Sequence, residues 1–503
     1  MKHIFFSIPL ILTCIITSGQ TQKKGSGTIK YKYDNDIHIN LHLPGGAGHD
    51  TILFKFYTTI LDDNYPSANN NSFVQVEKYI ILDANRKADF TIPKVDKPGY
   101  LLIAKNDLPY SREYYPLIRY YVVEPGDSIQ IKISSRNGFE NLYSQKIDFE
   151  FYGKGAATLY CQKEINDLRI TGGPFVNAAG NFNPENSSFR YMEQSLQVLS
   201  KYESKISSRS YKLLESNLVG YARNRAAYDI LLVQSNYRKD TAVQKLLLEA
   251  LNRITPENNS SLYIASVSGS NTYPAYILNF EKAKWLVLNG SLSKDFYYLL
   301  KEKYKGELRE KLLIMLLLSG NKNISFDKAL FEDALSTVKN PLLLEKLKEA
   351  GNRMEGSTAP DFSLPDPSGK IISLHDFKGK VVFIDFWYTG CTACAGYYKL
   401  NVKDVEEKFS SNKEVVFITI CIDRRKTEWI NSMNEGIYTS NKVINLYTEG
   451  QADDHPMIKH YNISGCPTPI IIDRDGKIFK YGWVLREKET LIQSLISALE
   501  PKK

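Results

Sequence analysis

Two cysteines, Cys391 and Cys394, lie three residues apart at the junction between an apolar run and a helical pattern. The run at residues 381–387 predicts a buried strand, and apolar residues recur at helical spacing from residue 391 to about residue 409. A thiolate at a helix N-terminus faces unsatisfied backbone N–H groups and the positive end of the helix dipole, so its pKa falls. The order of strand, Cys-Thr-Ala-Cys and helix therefore predicts a redox-active pair in an α/β domain.

The positions of the two sulfurs predict different roles. Cys391 lies at the more exposed end of the helix and is the predicted nucleophile, whereas Cys394 lies one turn further in. Cys394 would attack a mixed disulfide on Cys391 and release the reduced substrate. Zinc binding is the alternative for Cys-x-x-Cys, but it needs a second ligand pair, and none has suitable spacing. Five of the six cysteines follow residue 20, and this small odd number argues against a disulfide-stapled scaffold.

Asp385 interrupts the apolar strand ahead of the two cysteines. Burial makes a lone carboxylate costly to ionise, so the pKa of this side chain should rise. A carboxyl of raised pKa near a dithiol can accept and return the proton that the resolving Cys394 must lose. The alternative is a carboxylate that only binds nearby backbone N–H groups.

The periodicity of the chain changes twice and predicts a multidomain protein. Alternating polar and apolar runs at residues 27–151, separated by turn clusters, predict an N-terminal antiparallel β-sandwich. Helical spacing at residues 156–353 predicts an α-helical middle region. Strands and helices then alternate over residues 356–503, which predicts a C-terminal α/β domain.

Residues 1–20 have the pattern of a signal peptide, with a polar head, an apolar segment at residues 4–16 and small residues after it. That segment is too short to span a membrane, although Cys14 leaves lipid attachment open. The net charge of +8 includes no long basic run, which disfavours a nucleic-acid partner. We therefore expect a periplasmic or cell-envelope protein that is attached to a membrane only if it is lipid-tethered.

The C-terminal residues 356–503 resemble the thioredoxin fold, in the exported TlpA/ResA-like branch of thiol–disulfide oxidoreductases related to the redoxins. The resemblance implies that Pro467 is cis and that its loop lies against the nucleophile and pairs with substrate backbone. It also implies a membrane thiol donor for electrons, with no cofactor. Upstream, the motif at residues 122–127 resembles N-terminal extensions of such proteins in Bacteroidetes-type bacteria. The motifs that carry the thioredoxin resemblance are Ala359-Pro360-Asp361-Phe362, Gly379-Lys380-Val381-Val382, Asp385-Phe386-Trp387, Cys391-Thr392-Ala393-Cys394 and Gly465-Cys466-Pro467-Thr468.

The chain departs from the family pattern around the second cysteine. Many relatives have a basic residue next, then Glu three positions on and Pro five positions on, where this chain has Ala395, Tyr397 and Lys399. The helix should therefore lack a proline kink, and the acidic contact is absent. Gly390 stands where many thioredoxins carry Trp. The Thr-Ala dipeptide between the cysteines gives no basis for inferring the redox potential by analogy.

These features predict an exported enzyme that reduces protein disulfides by dithiol exchange through Cys391 and Cys394. A thiol peroxidase is one alternative, because related folds reduce hydroperoxides, but Tyr388 stands where the peroxidatic motif carries Thr. Another alternative is a binding or assembly protein whose long N-terminal part carries the function, with an accessory thioredoxin domain.

The remaining cysteines and two histidines have less specific contexts. Cys466 should face the active-site pair, and it is either an auxiliary resolving thiol that captures Cys391 or a bystander. Cys161 and Cys421 have the pattern of core thiols. His455 and His460 are predicted to lie on a loop and helix surface, and we predict no metal site.

Overall fold

The computed structural model describes residues 35–45, 50–60, 72–106, 115–135, 147–256, 266–318, 327–461, 463 and 465–500. The predicted signal peptide at residues 1–20, with Cys14, and the first residues of the predicted sandwich, 27–34, lie outside the described residues. Within the described ranges, no helix combines the length and the apolar character that a membrane crossing requires.

The N-terminal part is rich in strands, as predicted, and its described strands form two four-stranded sheets. The strands are β1 Ile37–His42, β2 Thr51–Ile60, β3 Ser72–Ile81, β4 Lys87–Ile92, β5 Gly99–Asn106, β6 Tyr115–Val123, β7 Ser128–Ser135 and β8 Ile147–Lys154. The sheet orders are β4-β1-β7-β8 and β3-β2-β5-β6. Leu41 and Ile131 of the first sheet share one buried core with Phe54 and Ile103 of the second, so the inner faces of the two sheets pack together.

The prediction of an antiparallel sandwich is wrong at one ladder. Strand β1 pairs in parallel with β7, with Ile39 opposite Ile129. Parallel neighbours need a long crossover connection rather than a hairpin, and here the chain visits the second sheet between the two strands. Alternation in the sequence indicates which face of a strand is buried, but it does not indicate the pairing partner.

The middle part is helical, as predicted. Its described helices are α1 Ala156–Asn166, α2 Ser187–Ser200, α3 Ser208–Asn236, α4 Thr241–Asn252, α5 Tyr273–Asn289, α6 Lys294–Lys303, α7 Gly306–Leu318, α8 Lys328–Thr337 and α9 Pro341–Gly351. Side chains of α3, α5 and α7, including Ile230, Tyr276 and Leu313, meet in one buried core. The helices therefore stabilise one another by packing their apolar faces together.

Strand β2 contributes to two cores because both of its faces are buried. Phe54 lies between the two sheets, whereas Leu53 and Tyr57 on the opposite face pack with Cys161 of α1 and Leu199 of α2. Burial raises the pKa of the Cys161 thiol to about 12. Cys161 is therefore a core side chain whose thiol stays protonated at neutral pH.

The C-terminal part has a thioredoxin-like fold around a five-stranded sheet of order β13-β12-β11-β14-β15. Its elements are β9 Ser363–Pro365, β10 Ile371–Ser373, β11 Val381–Trp387, α10 Thr392–Tyr397, α11 Lys403–Phe409, β12 Val415–Cys421, α12 Lys426–Glu435, β13 Ile444–Tyr447, α13 Pro456–His460, β14 Ile470–Ile472, β15 Ile478–Tyr481 and α14 Lys488–Leu499. Strands β11, β12 and β13 run parallel to one another. Strand β14 pairs antiparallel with β11, and β15 pairs antiparallel with β14. Every residue of β11 is buried, because separate apolar cores cover the two faces of the sheet.

Gly220 allows α3 to approach the start of α5 closely. A Cβ atom at this position would lie 2.6 Å from Thr272 Oγ1 and 2.6 Å from the backbone nitrogen of Tyr273. Gly220→Ala should therefore lower the free energy of unfolding by about 1–3 kcal/mol, although Ala is the better helix former. Denaturant unfolding measures this change. Gly396→Ala in α10 is the matched control, because nothing lies within 4 Å of its Cβ position; an equal loss in both variants would contradict the steric explanation.

Candidate active site

Cys391 and Cys394 form a disulfide with a Cα–Cα distance of 5.3 Å. Cys391 is the N-cap residue of α10, and its sulfur accepts a hydrogen bond from the backbone N–H of Cys394 at 3.1 Å. This is the helix N-terminal position that the sequence predicts. The sequence predicts that Cys391 lies at the more exposed end of the helix, but the difference is small, because Cys391 is 3% exposed and Cys394 is 1% exposed. Both cysteines belong to a buried cluster that also contains Trp387 and Tyr438.

Asp423 and Tyr438 hold the loop that connects β11 to Cys391, and the sequence analysis identified neither residue. The Asp423 carboxylate accepts hydrogen bonds from the backbone N–H of Thr389 at 2.9 Å and from its hydroxyl at 2.5 Å. The Tyr438 hydroxyl accepts a hydrogen bond from the backbone N–H of Gly390 at 3.0 Å. Gly390, where many thioredoxins carry Trp, has a φ of 88°, a left-handed conformation that favours glycine. These contacts fix the backbone that leads into the first cysteine.

The loop that contains Pro467 lies against the first cysteine. The Cys466–Pro467 peptide bond is cis, and the carbonyl oxygen of Cys466 lies 3.6 Å from the sulfur of Cys391. The Cys466 side chain is partly buried and packs in the same cluster as Cys391, Cys394 and Cys421. Cys421 is itself fully buried, and this burial holds the pKa of its thiol well above the usual range.

Asp385 lies in the middle of β11 and is 4% exposed. Burial raises the pKa of its carboxyl to about 8, although hydrogen bonds from the backbone N–H groups of Phe386 and Thr468 and the charge of Arg486 oppose this rise. Its Oδ1 atom has no hydrogen-bond partner within the described part of the structure. Asp385 is therefore a buried carboxyl of raised pKa, as the sequence predicts.

Tyr397 replaces the acidic residue of many relatives with a hydrogen-bond donor. Its buried hydroxyl donates to the carbonyl of Leu485 at 2.9 Å, in the short 3-10 helix Gly482–Arg486. The backbone then passes through a π-helical segment, Tyr398–Val402, before α11 begins. The helix after the cysteines is therefore irregular without a proline, because a π turn interrupts it.

The two predicted surface histidines lie at opposite ends of the short helix α13. His455 is its N-cap residue, and its Nδ1 atom accepts a hydrogen bond from the backbone N–H of Met457 at 3.2 Å. His460 is the last residue of the helix. Across the described ranges, no three or more His, Cys, Asp or Glu side chains are grouped so that they could hold a metal ion.

Comparison with known proteins gives matches in the C-terminal region. A family model described as Redoxin matches residues 354–492. The thiol-disulfide oxidoreductase ResA of Bacillus subtilis (strain 168) is 34% identical over 126 residues, which cover 25% of this chain and 65% of that protein. ResA of Bacillus thuringiensis subsp. konkukian (strain 97-27) is 31% identical over 125 residues, which cover 25% of this chain and 67% of that protein. The thioredoxin domain of a thiol-disulfide oxidoreductase from Bacteroides vulgatus is 27% identical, with 29% of this chain and 98% of that domain covered and a TM-score of 0.26.

The five-stranded sheet and the disulfide at the N-terminus of α10 define the C-terminal part as a thioredoxin-like domain. Through this domain, the chain belongs to the ResA-like family of thiol–disulfide oxidoreductases. The predicted resemblance is thereby confirmed. The chain spans 65% of the length of the Bacillus subtilis relative.

The raised pKa of Asp385 predicts how stability depends on pH. Its folded pKa of about 8 lies above its ordinary value of 3.8, so between these two values the folded state holds a proton that the unfolded state has released. The stabilisation that protonated Asp385 gives the folded state is therefore complete below about pH 4. It decreases steadily as the pH rises and is lost once the pH has passed through 8. Asp385→Asn removes this loss, and its free energy of unfolding should exceed that of the wild type at pH 8 by up to about 5 kcal/mol.

Denaturant unfolding from pH 4.5 to pH 9 measures the effect, and the two curves should converge at the acidic end. Asp404→Asn is the control, because Asp404 is an exposed carboxylate whose pKa is lowered by Lys488. This control should show no gain in stability at alkaline pH. A gain for Asp385→Asn that is equal at pH 5 and pH 8 would contradict the titration of a buried carboxyl.

Proposed function

We propose that this protein is an exported oxidoreductase that reduces protein disulfides by dithiol exchange through Cys391 and Cys394. The observation that carries the proposal is the disulfide at the N-terminus of α10, which packs against the cis-proline loop at Cys466. The names of the ResA relatives support the same class of reaction. Protein disulfides are the substrates, and a membrane thiol donor supplies the electrons.

In the first step, the Cys391 thiolate attacks one sulfur of the substrate disulfide. The substrate S–S bond breaks, one substrate cysteine leaves as a thiolate that takes a proton from water, and the other is bound to Cys391. The hydrogen bond from the Cys394 N–H to the Cys391 sulfur supports this role, because it stabilises a negative charge on that sulfur. Pro467 and its loop hold the substrate backbone beside the reacting sulfur.

In the second step, Cys394 gives its proton to Asp385 and attacks the sulfur of Cys391. The Cys391–Cys394 bond forms, the mixed disulfide breaks, and the second substrate thiolate leaves and accepts a proton. Two electrons have then passed from the protein dithiol to the substrate disulfide. The membrane thiol donor reverses the oxidation of the pair by the same type of exchange.

Different parts of the chain have different tasks. Residues 1–20 direct export, the sheet-rich residues 27–151 and the helical residues 156–353 form the N-terminal extension, and residues 356–503 carry the chemistry. The protein works in the periplasm or cell envelope, where disulfides form and persist. If Cys14 carries a lipid, the protein is tethered to a membrane.

Replacing the attacking cysteine and replacing the resolving cysteine should have different effects. With insulin as substrate and dithiothreitol as reductant, Cys391→Ser should lower the protein-dependent rate by about 100-fold or more, because no other group attacks the disulfide. Cys394→Ala should accumulate a mixed disulfide with insulin on non-reducing gels. Cys161→Ala is the control, because it removes a buried thiol outside the C-terminal domain, and it should retain the wild-type rate. Wild-type activity in Cys391→Ser would refute the proposed function.

Cys466 is proposed as an auxiliary thiol that shortens the lifetime of the mixed disulfide. Its partly buried side chain packs in the cluster that contains both active-site cysteines. Cys466→Ala should keep turnover within about threefold of the wild type, because Cys394 remains the main resolving thiol. In a Cys394→Ala background, the same change should increase the amount of trapped mixed disulfide. Equal trapping with and without Cys466 would identify it as a bystander.

A further inference from the structure

The 3-10 helix Gly482–Arg486, here called the 482–486 turn, is bound to both segments of the active site. At its start, the backbone N–H of Gly482 donates to the carbonyl of Pro469, just after the cis-proline, at 2.8 Å. Near its end, the carbonyl of Leu485 accepts the hydroxyl of Tyr397, which follows the cysteines in α10. The turn therefore connects the loop that receives substrate to the helix that carries the dithiol.

Arg486 ends this turn and extends the connection to the buried carboxyl. Its guanidinium donates a hydrogen bond to the carbonyl of Pro467, and its positive charge also acts on Asp385. The backbone N–H of Thr468, the residue after Pro467, also lowers the pKa of Asp385. Arg486 thus holds the cis-proline loop at Pro467, and its charge acts on the carboxyl that lies near the same loop.

Other ionisable groups around Asp385 show why the charge of Arg486 matters. Glu406 of α11 is buried, and burial raises the pKa of its carboxyl to about 7. Its negative charge acts against the ionisation of Asp385, whereas that of Arg486 favours it. Tyr397 of α10 also lies within electrostatic range of Asp385, and its own pKa is raised mainly by burial. Arg486 is itself exposed, and it supplies compensating positive charge to the buried carboxyl of Asp385 from the turn.

On the basis of the proposed function, we propose that Arg486 is a positioning residue for disulfide exchange. It fixes the Pro467 carbonyl for pairing with substrate, and it compensates the negative charge that Asp385 acquires when it is ready to accept the Cys394 proton. The planar guanidinium suits both tasks, because it can donate to a carbonyl while its delocalised charge faces a carboxylate.

The titration of Asp385 tests the charge effect and does not depend on catalysis. It can be followed by 13C NMR of the oxidised full chain labelled at the aspartate carboxyl carbons, with the resonance assigned by its loss in Asp385→Asn. Arg486→Gln should move the midpoint to higher pH by about one unit. Arg486→Lys keeps the positive charge and should leave the midpoint close to that of the wild type.

The kinetics of peptide-disulfide reduction at pH 7 test the effect on the loop. Arg486→Gln should raise KM by about five- to tenfold, because a hydrogen bond from a charged donor to the loop is lost. Arg474→Gln is the matched control, because the Arg474 guanidinium also bonds to a distant segment, at Glu414, away from the cis-proline loop. This control should change neither KM nor the Asp385 midpoint.

Two results would count against the inference in different ways. An unchanged midpoint together with an unchanged KM in Arg486→Gln would overturn it. A raised KM with an unchanged midpoint would refute the charge effect and retain the loop-holding role. Failure of the proposed function would appear separately, as full reductase activity in Cys391→Ser whatever residue is present at position 486.

Discussion

Burial of a carboxyl in the central strand is the constraint on which the active site depends. Every side chain of β11 is buried, so Asp385 can ionise only where nearby groups replace the water that it has lost. The backbone N–H of Thr468 and the charge of Arg486 supply part of this compensation. Thr468 belongs to the cis-proline loop, and Arg486 donates a hydrogen bond to Pro467 of the same loop. Arg486, which favours the ionisation of Asp385, therefore also bonds the loop at Pro467.

The sequence predicted those parts of the site whose residues lie close together along the chain. The apolar run at residues 381–387 predicted β11 at the bounds that the structure shows, and the Cys-x-x-Cys pair predicted the helix N-terminus. The supporting groups could not be predicted in this way, because only the fold brings them to the site. Asp423 lies 34 residues from Thr389, Tyr438 lies 48 residues from Gly390, and neither residue belongs to a local pattern.

The N-terminal fold shows the same limit for different physical reasons. Alternation identified strands, but it could not identify the parallel pairing of β1 with β7, which depends on the path of the chain through the other sheet. Helix α3 is 29 residues long, yet its apolar periodicity is weak because polar residues are buried along it. One of these is Asp229, whose carboxylate accepts the backbone N–H of Phe175 at 2.7 Å. Such compensated polar groups cannot be distinguished from surface residues by sequence pattern.

The distribution of the cores limits how the N-terminal region can act on the chemistry. Within the described ranges, the buried hydrophobic clusters contain residues from before position 354 or from after it, never from both sides. Polar groups of the two sides lie within electrostatic range of each other, because the charges of Asp454 and Arg424 act on Tyr79 of β3. In the described part of the chain, each side therefore has its own hydrophobic cores, and the apolar side chains of β11 pack in those of the C-terminal side.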